Sequence, residues 1–198
     1  MGPTVIETPR VRLRTWTAAD AEEFGRLARD PDVVAYITGG RPLTDDEVAE
    51  FIARQLACQA ERGWCRWALE VAADPGRVAG FCGPGCTFAP EVEMGWWLSP
   101  DHWRQGLATE AGSAAIRHCF EVIGFARLIC CVHPNNAASL AVARKVGFAQ
   151  VGYFDHNGMT LIRHELDNPL PEPPNSPAYV LDCAGAPTAS VVGTAESA

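Results

Sequence analysis

The sequence predicts a mixed α/β domain, with a mostly antiparallel sheet of about seven strands and helices packed against it. Three observations carry this. Segments 10–16, 64–71, 77–82, 91–98, 128–132, 150–154 and 159–166 alternate or run apolar as strands do. Turn sequences at 73–76 and 155–158 join neighbouring strands as hairpins. Between the strands, stretches near 17–30, 44–61, 107–123 and 137–146 have helical spacing and recognisable caps.

Taken in order, 10–16 sets Val11, Leu13 and Thr15 against Arg12, Arg14 and Trp16. A helix starts between Thr17 and Asp20, with Phe24 and Leu27 inward, and ends or kinks at Asp30-Pro31. Residues 32–37 make a further short turn of helix. Thr44 and Glu47 have capping-box spacing, and the helix they open buries Val48, Phe51, Ile52, Leu56 and Cys58. Gly124 is placed to cap the helix of 107–123, and Gly147 that of 137–146. The continuous apolar run 128–132 suits a central strand.

From 168 onward Pro169, Pro171, Pro173, Pro174, Pro177 and Pro187 interrupt an Ala- and Ser-rich stretch without periodicity. The expected division is therefore a folded domain over 1–167 and a flexible tail over 168–198.

Bulk composition narrows the function classes. The chain has 198 residues, 47% of them hydrophobic, and a net charge of −8. That acidity argues against a general nucleic-acid binder. No apolar run reaches the roughly 20 residues of a membrane span. The start lacks the charged and apolar regions of a signal peptide, so a cytoplasmic location is expected. The eight cysteines form no CxxC and no Cys/His set with zinc spacing, so most read as reduced, buried residues and no metal is expected.

The chemistry centres on 91–109. In its strand, Val92, Met94, Trp96 and Leu98 share one face and Glu91, Glu93, Gly95 and Trp97 the other. After Ser99-Pro100-Asp101 comes a loop of Trp103, Arg104, Gln105 and Gly106, then a helix from Leu107. A strand, a glycine loop and a helix start together aim backbone N–H groups at an anion. A plain strand-to-helix turn explains the glycine equally well. Asn136 and Ser139 occupy the first turn of a second helix, where simple capping is the blander reading. Glu91 and Glu93 are carboxylates beside the loop. Glu91, at the strand's start, fits a solvated face better than Glu93 does.

The stretches EMGWWLSP, WRQGLATEA and HPNNAASLAVARKVGF, in this order and spacing, resemble the GNAT superfamily of N-acetyltransferases, and within it the RimJ/RimL-like branch. The resemblance covers about residues 8–167. It implies a twisted sheet with a parallel pair at the cofactor cleft and acetyl transfer from acetyl-CoA to an amine, on a protein N-terminus or a small molecule. The family loop, Gln/Arg-x-x-Gly-x-Gly/Ala, maps onto 103–108. Gly106 and Ala108 match, and Trp103 replaces the first residue.

By the same resemblance, the backbone of Arg104, Gln105, Gly106, Leu107, Ala108 and Thr109 holds the CoA pyrophosphate. Trp97, Leu98 and Ser99 pair with the pantetheine arm, Asn136 bonds the cofactor, and Arg144 or Lys145 meets its phosphates. Many relatives carry a tyrosine four residues before the Gly-Phe pair as proton donor, and here that position is Ala143. Ser139 or water is then the donor to the leaving thiolate. Glu93 is the expected base, since an alkylamine with a pKa around 10 must lose a proton before it attacks. The competing reading is a non-catalytic acyl-CoA sensor or interaction module. Exposed strands could also support a homodimer.

Overall fold

The computed structural model describes residues 1–169. The expected tail therefore lies outside the described residues except for Asn168 and Pro169. Asn168 is tied to the domain: its N–H donates to Ala126 O at 2.9 Å and its side-chain amide to Phe125 O at 3.0 Å.

The chain opens with β1 (Thr4–Glu7) and β2 (Val11–Arg14), followed by α1 (Ala21–Ala28), α2 (Pro31–Val34) and α3 (Asp45–Arg62). Then come β3 (Trp67–Val71), β4 (Gly80–Gly85), β5 (Glu93–Leu98), α4 (Leu107–His118), β6 (Arg127–Val132), α5 (Ala137–Lys145), β7 (Ala149–His156) and β8 (Met159–Asp167). The eight strands make one sheet in the order β1-β2-β3-β4-β5-β6-β8-β7. All neighbours are antiparallel except β5 and β6.

The first strand goes beyond the expected seven. The four residues of β1 are too few to show alternation, yet Thr8 N–H to Val11 O at 2.9 Å closes a hairpin onto β2. β4 lies later than the expected 77–82. The Val78 N–H is taken by the Glu23 carboxylate at 2.8 Å, and the ladder extends instead through Gly83, Pro84 and Gly85. Sequence reading discounts those three because glycine and proline are poor strand formers.

Local signals explain the helices. Asp30 caps α2 through the N–H of Asp32 at 2.9 Å, and Pro31 takes the first helical position, where its missing N–H costs nothing. α3 has the expected Thr44/Glu47 capping box and ends on Gly63 in the left-handed region at φ 77°. Leu56 is 37% exposed rather than buried; the neighbouring polar Gln55 turns inward instead. The Gln55 Oε1 accepts the Arg66 N–H at 3.0 Å, which satisfies the buried amide. The helix of 107–123 is α4 followed by one π turn, Cys119–Ile123, capped by Gly124 at φ 87°.

The sheet is covered on both faces. On one face Phe24 and Phe51 stack at 4.4 Å between ring centres, and Phe81, Trp97 and Trp16 pack around them. On the other, the small buried residues Ala111 and Ala115 bring α4 close to the sheet. Arg14 is buried between Asp20 and Glu70, with bonds of 2.8 and 2.5 Å. This compensated charge closes the sheet beside α1.

The sheet parts in its middle. β5 and β6 share one registered pair, Glu93 with Ile129, and the Ile129 N–H meets Val92 O at 3.0 Å. Beyond that point β5 continues along β4 and β6 along β8, but the two have no further registered pair among the described residues. Ser99 N–H donates to Ala79 O on the β4 side at 2.8 Å. By strand alternation the backbone groups of Met94, Trp96 and Leu98 therefore face the gap.

Candidate active site

The gap is a stretch of internal sheet edge whose N–H and C=O groups an extended ligand can pair, as an added strand would. Its inner end is Glu93. Its outer end is the loop before α4. Of the expected pantetheine partners, Leu98 faces the gap. Its carbonyl also accepts the Trp103 Nε1 at 2.7 Å, which ties the loop to the strand end. Trp97 turns its side chain to the Phe24 and Phe81 rings, and the Ser99 amide is taken by Ala79.

The loop has the backbone of an anion cradle. Arg104 has φ 59° and Gly106 φ 78°. Two left-handed residues on either side of Gln105 turn neighbouring N–H groups inward. Gly106 O accepts the first helical bond from Glu110 N–H at 3.0 Å. The N–H groups of Leu107, Ala108 and Thr109 thus precede the intrahelical ladder and sit at the positive end of α4. Arg104 and Gln105 are exposed, while Leu107 is buried and anchors the turn.

Sequence reading missed the cation that braces this loop. Arg10 donates from Nη1 to Gln105 O at 2.9 Å and from Nε to Glu110 Oε2 at 2.6 Å. The Thr8 hydroxyl holds the other Glu110 oxygen at 2.7 Å. The turn between β1 and β2 is thereby clamped to the first turn of α4. A separation of about 100 residues leaves no local signal for this contact.

Asn136 caps α5, its Oδ1 accepting the Ser139 N–H at 3.0 Å. Ser139 Oγ in turn accepts the Trp96 indole N–H at 3.2 Å, which joins α5 to the gap-facing strand. Arg144 and Lys145 are exposed in the last turn of α5. A Cβ on Gly112 would lie 3.4 Å from the side chain of Val146. The cationic end of α5 therefore flanks the middle of α4, away from the cradle, and Lys145 lines a hollow with Arg117 and Phe120. Ala143 is fully buried.

Glu93 is buried at 8% exposure and ion-paired with Arg66. Burial pushes its carboxyl above the ordinary value, while the Arg66 charge, the Thr87 hydroxyl and the Cys131 N–H pull it partly back. Glu91, by contrast, is engaged by Arg163 of β8 at 2.6 Å, which holds it below the usual carboxylate range. Arg66 and Thr87 were not singled out from sequence. The only hint is indirect, in Gly85 and Gly95, which leave room for a side chain to lie across two strands.

A parted parallel pair with a helix-start cradle at one end and a buried carboxylate at the other suits a ligand with an extended arm and a charged head. The model of the acetyltransferase (GNAT) domain matches residues 10–149. The chain belongs to the GNAT family of acetyltransferases. The uncharacterized protein YkkB of Bacillus subtilis (strain 168) is 31% identical over 153 residues, covering 73% of this chain and 84% of YkkB. The FsC-acetyl coenzyme A-N(2)-transacetylase of Aspergillus fumigatus is 29% identical, covering 75% of this chain and 66% of that protein.

Among solved structures, the ribosomal L7/L12 alpha-N-protein acetyltransferase RimL, in complex with coenzyme A, superposes with a TM-score of 0.69 at 15% identity. That alignment covers 83% of this chain and 98% of RimL. The GNAT fold expected from the sequence, with its parallel pair and flanking helices, is thus the observed one, and the protein is an acetyltransferase. GNAT acetyltransferases use acetyl-CoA as donor, and the gap and cradle fit such a molecule. No helix among the described residues is long and apolar enough to cross a membrane.

Proposed function

We propose that this GNAT protein transfers the acetyl group of acetyl-CoA to a primary amine of a protein N-terminus or a small molecule, in the manner of the RimJ/RimL-like branch. The observation that carries the reading is the opening between β5 and β6, with Glu93 at its inner end and Ser139 beside it. Met94, Trp96 and Leu98 offer backbone groups to the pantetheine arm. The cradle of Arg104, Gln105, Gly106, Leu107, Ala108 and Thr109 takes the pyrophosphate without a metal. Asn136 lines the same cleft, and Arg144 supplies charge farther along α5. RimL, whose structure holds coenzyme A, is named for acetylating a protein N-terminus, which favours that acceptor class.

The reaction balances with residues of this chain. Glu93, directly or through water, accepts a proton from the acceptor ammonium. The free amine nitrogen forms a bond to the acetyl carbon, and the carbon–sulfur bond breaks. The nitrogen then loses its second proton, which passes through water to the Ser139 oxygen and replaces the one Ser139 gives to the sulfur. The Trp96 indole donates to Ser139 Oγ, and an indole N–H can only donate, so the Ser139 hydroxyl keeps its own proton free for the departing sulfur. Gap-facing N–H groups of β5 are positioned to receive the oxyanion.

The proposed domain boundary keeps 1–167 as the catalytic unit and 168–198 as an appendage, and the proposed location is the cytoplasm. A second copy of the chain is a proposed partner through the outer edge of β7, where Val151 and Tyr153 are 53% and 64% exposed. The donor site is tested by thermal melting with acetyl-CoA. A saturable rise in Tm, weakened in Gly106→Ala, supports the cradle. The absence of any shift with acetyl-CoA contradicts it.

A further inference from the structure

Arg66 projects from the segment between α3 and β3, and its backbone is held on both sides. Its N–H donates to Gln55 of α3 at 3.0 Å, and its carbonyl accepts the indole N–H of Trp16. From this fixed root the side chain crosses β4 and β5 over glycines. A Cβ on Gly85 would stand 2.7 Å from Arg66 Nε, and one on Gly95 3.0 Å from it. Gly85 is the direct cross-strand partner of Glu93. The two glycines thus form a trough, floored by backbone, that ends at the carboxylate. The guanidinium lies 5.7 Å from the Phe81 ring centre and bonds both Thr87 Oγ1, at 2.7 Å, and Glu93. Among the described residues its Nε is buried without a partner, so the trough and not hydrogen-bond saturation sets this pose.

We propose that Arg66 is a positioning residue for acetyl transfer, which keeps the buried Glu93 ionised and fixed in aim while it waits for the acceptor's proton. This rests on the reading of Glu93 as the base. The physical need is plain: a carboxylate in a desolvated site tends to take a proton, and a protonated base is idle. A neighbouring guanidinium cannot itself lose its proton, so it counters burial over the whole working pH range. The same positive charge disfavours the ammonium form of an arriving amine, which eases the transfer to Glu93.

The other groups facing Glu93 leave this task to Arg66. From β6 come Cys130 and Cys131, thiols that burial holds in the neutral form. From the segment before β5 comes Thr87, which is uncharged. Arg163 of β8 is committed to Glu91 and Glu165. Arg66 is the one cation in direct contact with Glu93 among the described residues.

The test is a carbon-13 NMR titration of the full-length protein labelled at glutamate side-chain carboxyls, with the Glu93 signal assigned by its loss in Glu93→Gln. In Arg66→Gln the Glu93 midpoint should rise by roughly 1–3 pH units, the range a contacting opposite charge commands. Arg66→Lys should fall between this variant and the wild type. The acid limb of kcat/KM for acetyl transfer should move by the same amount, with activity recovered at alkaline pH. An unchanged Glu93 midpoint in a folded Arg66→Gln protein overturns the proposal, because a purely structural arginine would alter Tm and leave the titration in place. If the midpoint moves but Glu93→Gln transfers acetyl normally, the base reading fails and the hold of Arg66 on Glu93 stands.

Discussion

The indole N–H of Trp96 donates to the Ser139 hydroxyl oxygen at 3.2 Å, joining the gap-facing strand to the first turn of α5 across 43 residues of chain. Ser139 is at once the capped residue of that turn, through Asn136, and a hydroxyl tied to the strand on which Glu93 lies. These bonds fix the hydroxyl proposed above as proton donor, at a site where the buried Ala143 supplies none.

Ser139→Ala should lower kcat on the order of 10²-fold, at the modest end for a positioned proton donor, with the KM for acetyl-CoA little changed. Trp96→Phe removes one hydrogen bond of about 1 kcal/mol and should cost kcat only a few-fold. Steady-state kinetics on both variants checks this. A Ser139→Ala enzyme with wild-type kcat would assign the proton to water.

The cradle makes two opposite stability predictions. At Gly106, φ 78°, a Cβ would make only an ordinary van der Waals contact, 3.7 Å from Arg10 Nη2, so Gly106→Ala suffers chiefly from backbone strain. That strain is worth about 1–2 kcal/mol and should lower Tm and weaken acetyl-CoA binding. Arg104, a non-glycine residue at φ 59°, behaves in reverse. Arg104→Gly should raise Tm by relieving strain while still weakening acetyl-CoA binding through the lost charge. Calorimetric melting and titration separate the two effects.

The Thr8–Arg10–Glu110 clamp should act on the donor site alone. Arg10→Ala and Glu110→Gln are each expected to raise the KM for acetyl-CoA several-fold with kcat nearly unchanged. The double variant should be little worse than either single one, as for residues of one network. Equal losses in kcat would move the clamp's role to the chemistry.

Acid stability should report the capping box of α3. Hydrogen bonds from Arg41 and the Thr44 N–H hold Glu47 down to about 2 from its ordinary 4.5. A lowered carboxyl contributes stability above its unfolded pKa and loses it as pH falls through the folded value. Wild type should therefore lose stability between about pH 4.5 and 2 through this group. Glu47→Gln should flatten that part of the acid denaturation curve, by an amount limited by the exposure of Arg41.

Much of the fold was legible because its signals are local. The alternation of 91–98, the Thr44/Glu47 box and the glycines after the main helices each depend on residues within a turn or two of one another. What escaped depends on contacts across the chain. β1 has no amphipathic pattern and exists because β2 offers it a partner, and β4 runs through glycine and proline because β5 supplies the ladder. In the site, Glu93 and Ser139 could be chosen from sequence, with the family resemblance behind them. Arg66, Arg10 and the Trp96 bond to Ser139 could not, since each joins segments tens of residues apart.

The most direct test of the account is release of CoA thiol from acetyl-CoA with free-N-terminus peptides, polyamines and aminoglycosides, run in parallel on the wild type and Glu93→Gln. Amine-dependent release by the wild type, reduced on the order of 10²-fold or more in Glu93→Gln near neutral pH, is the predicted result. Tight acetyl-CoA binding without release for any amine, or release that is indifferent to Glu93→Gln, would contradict it.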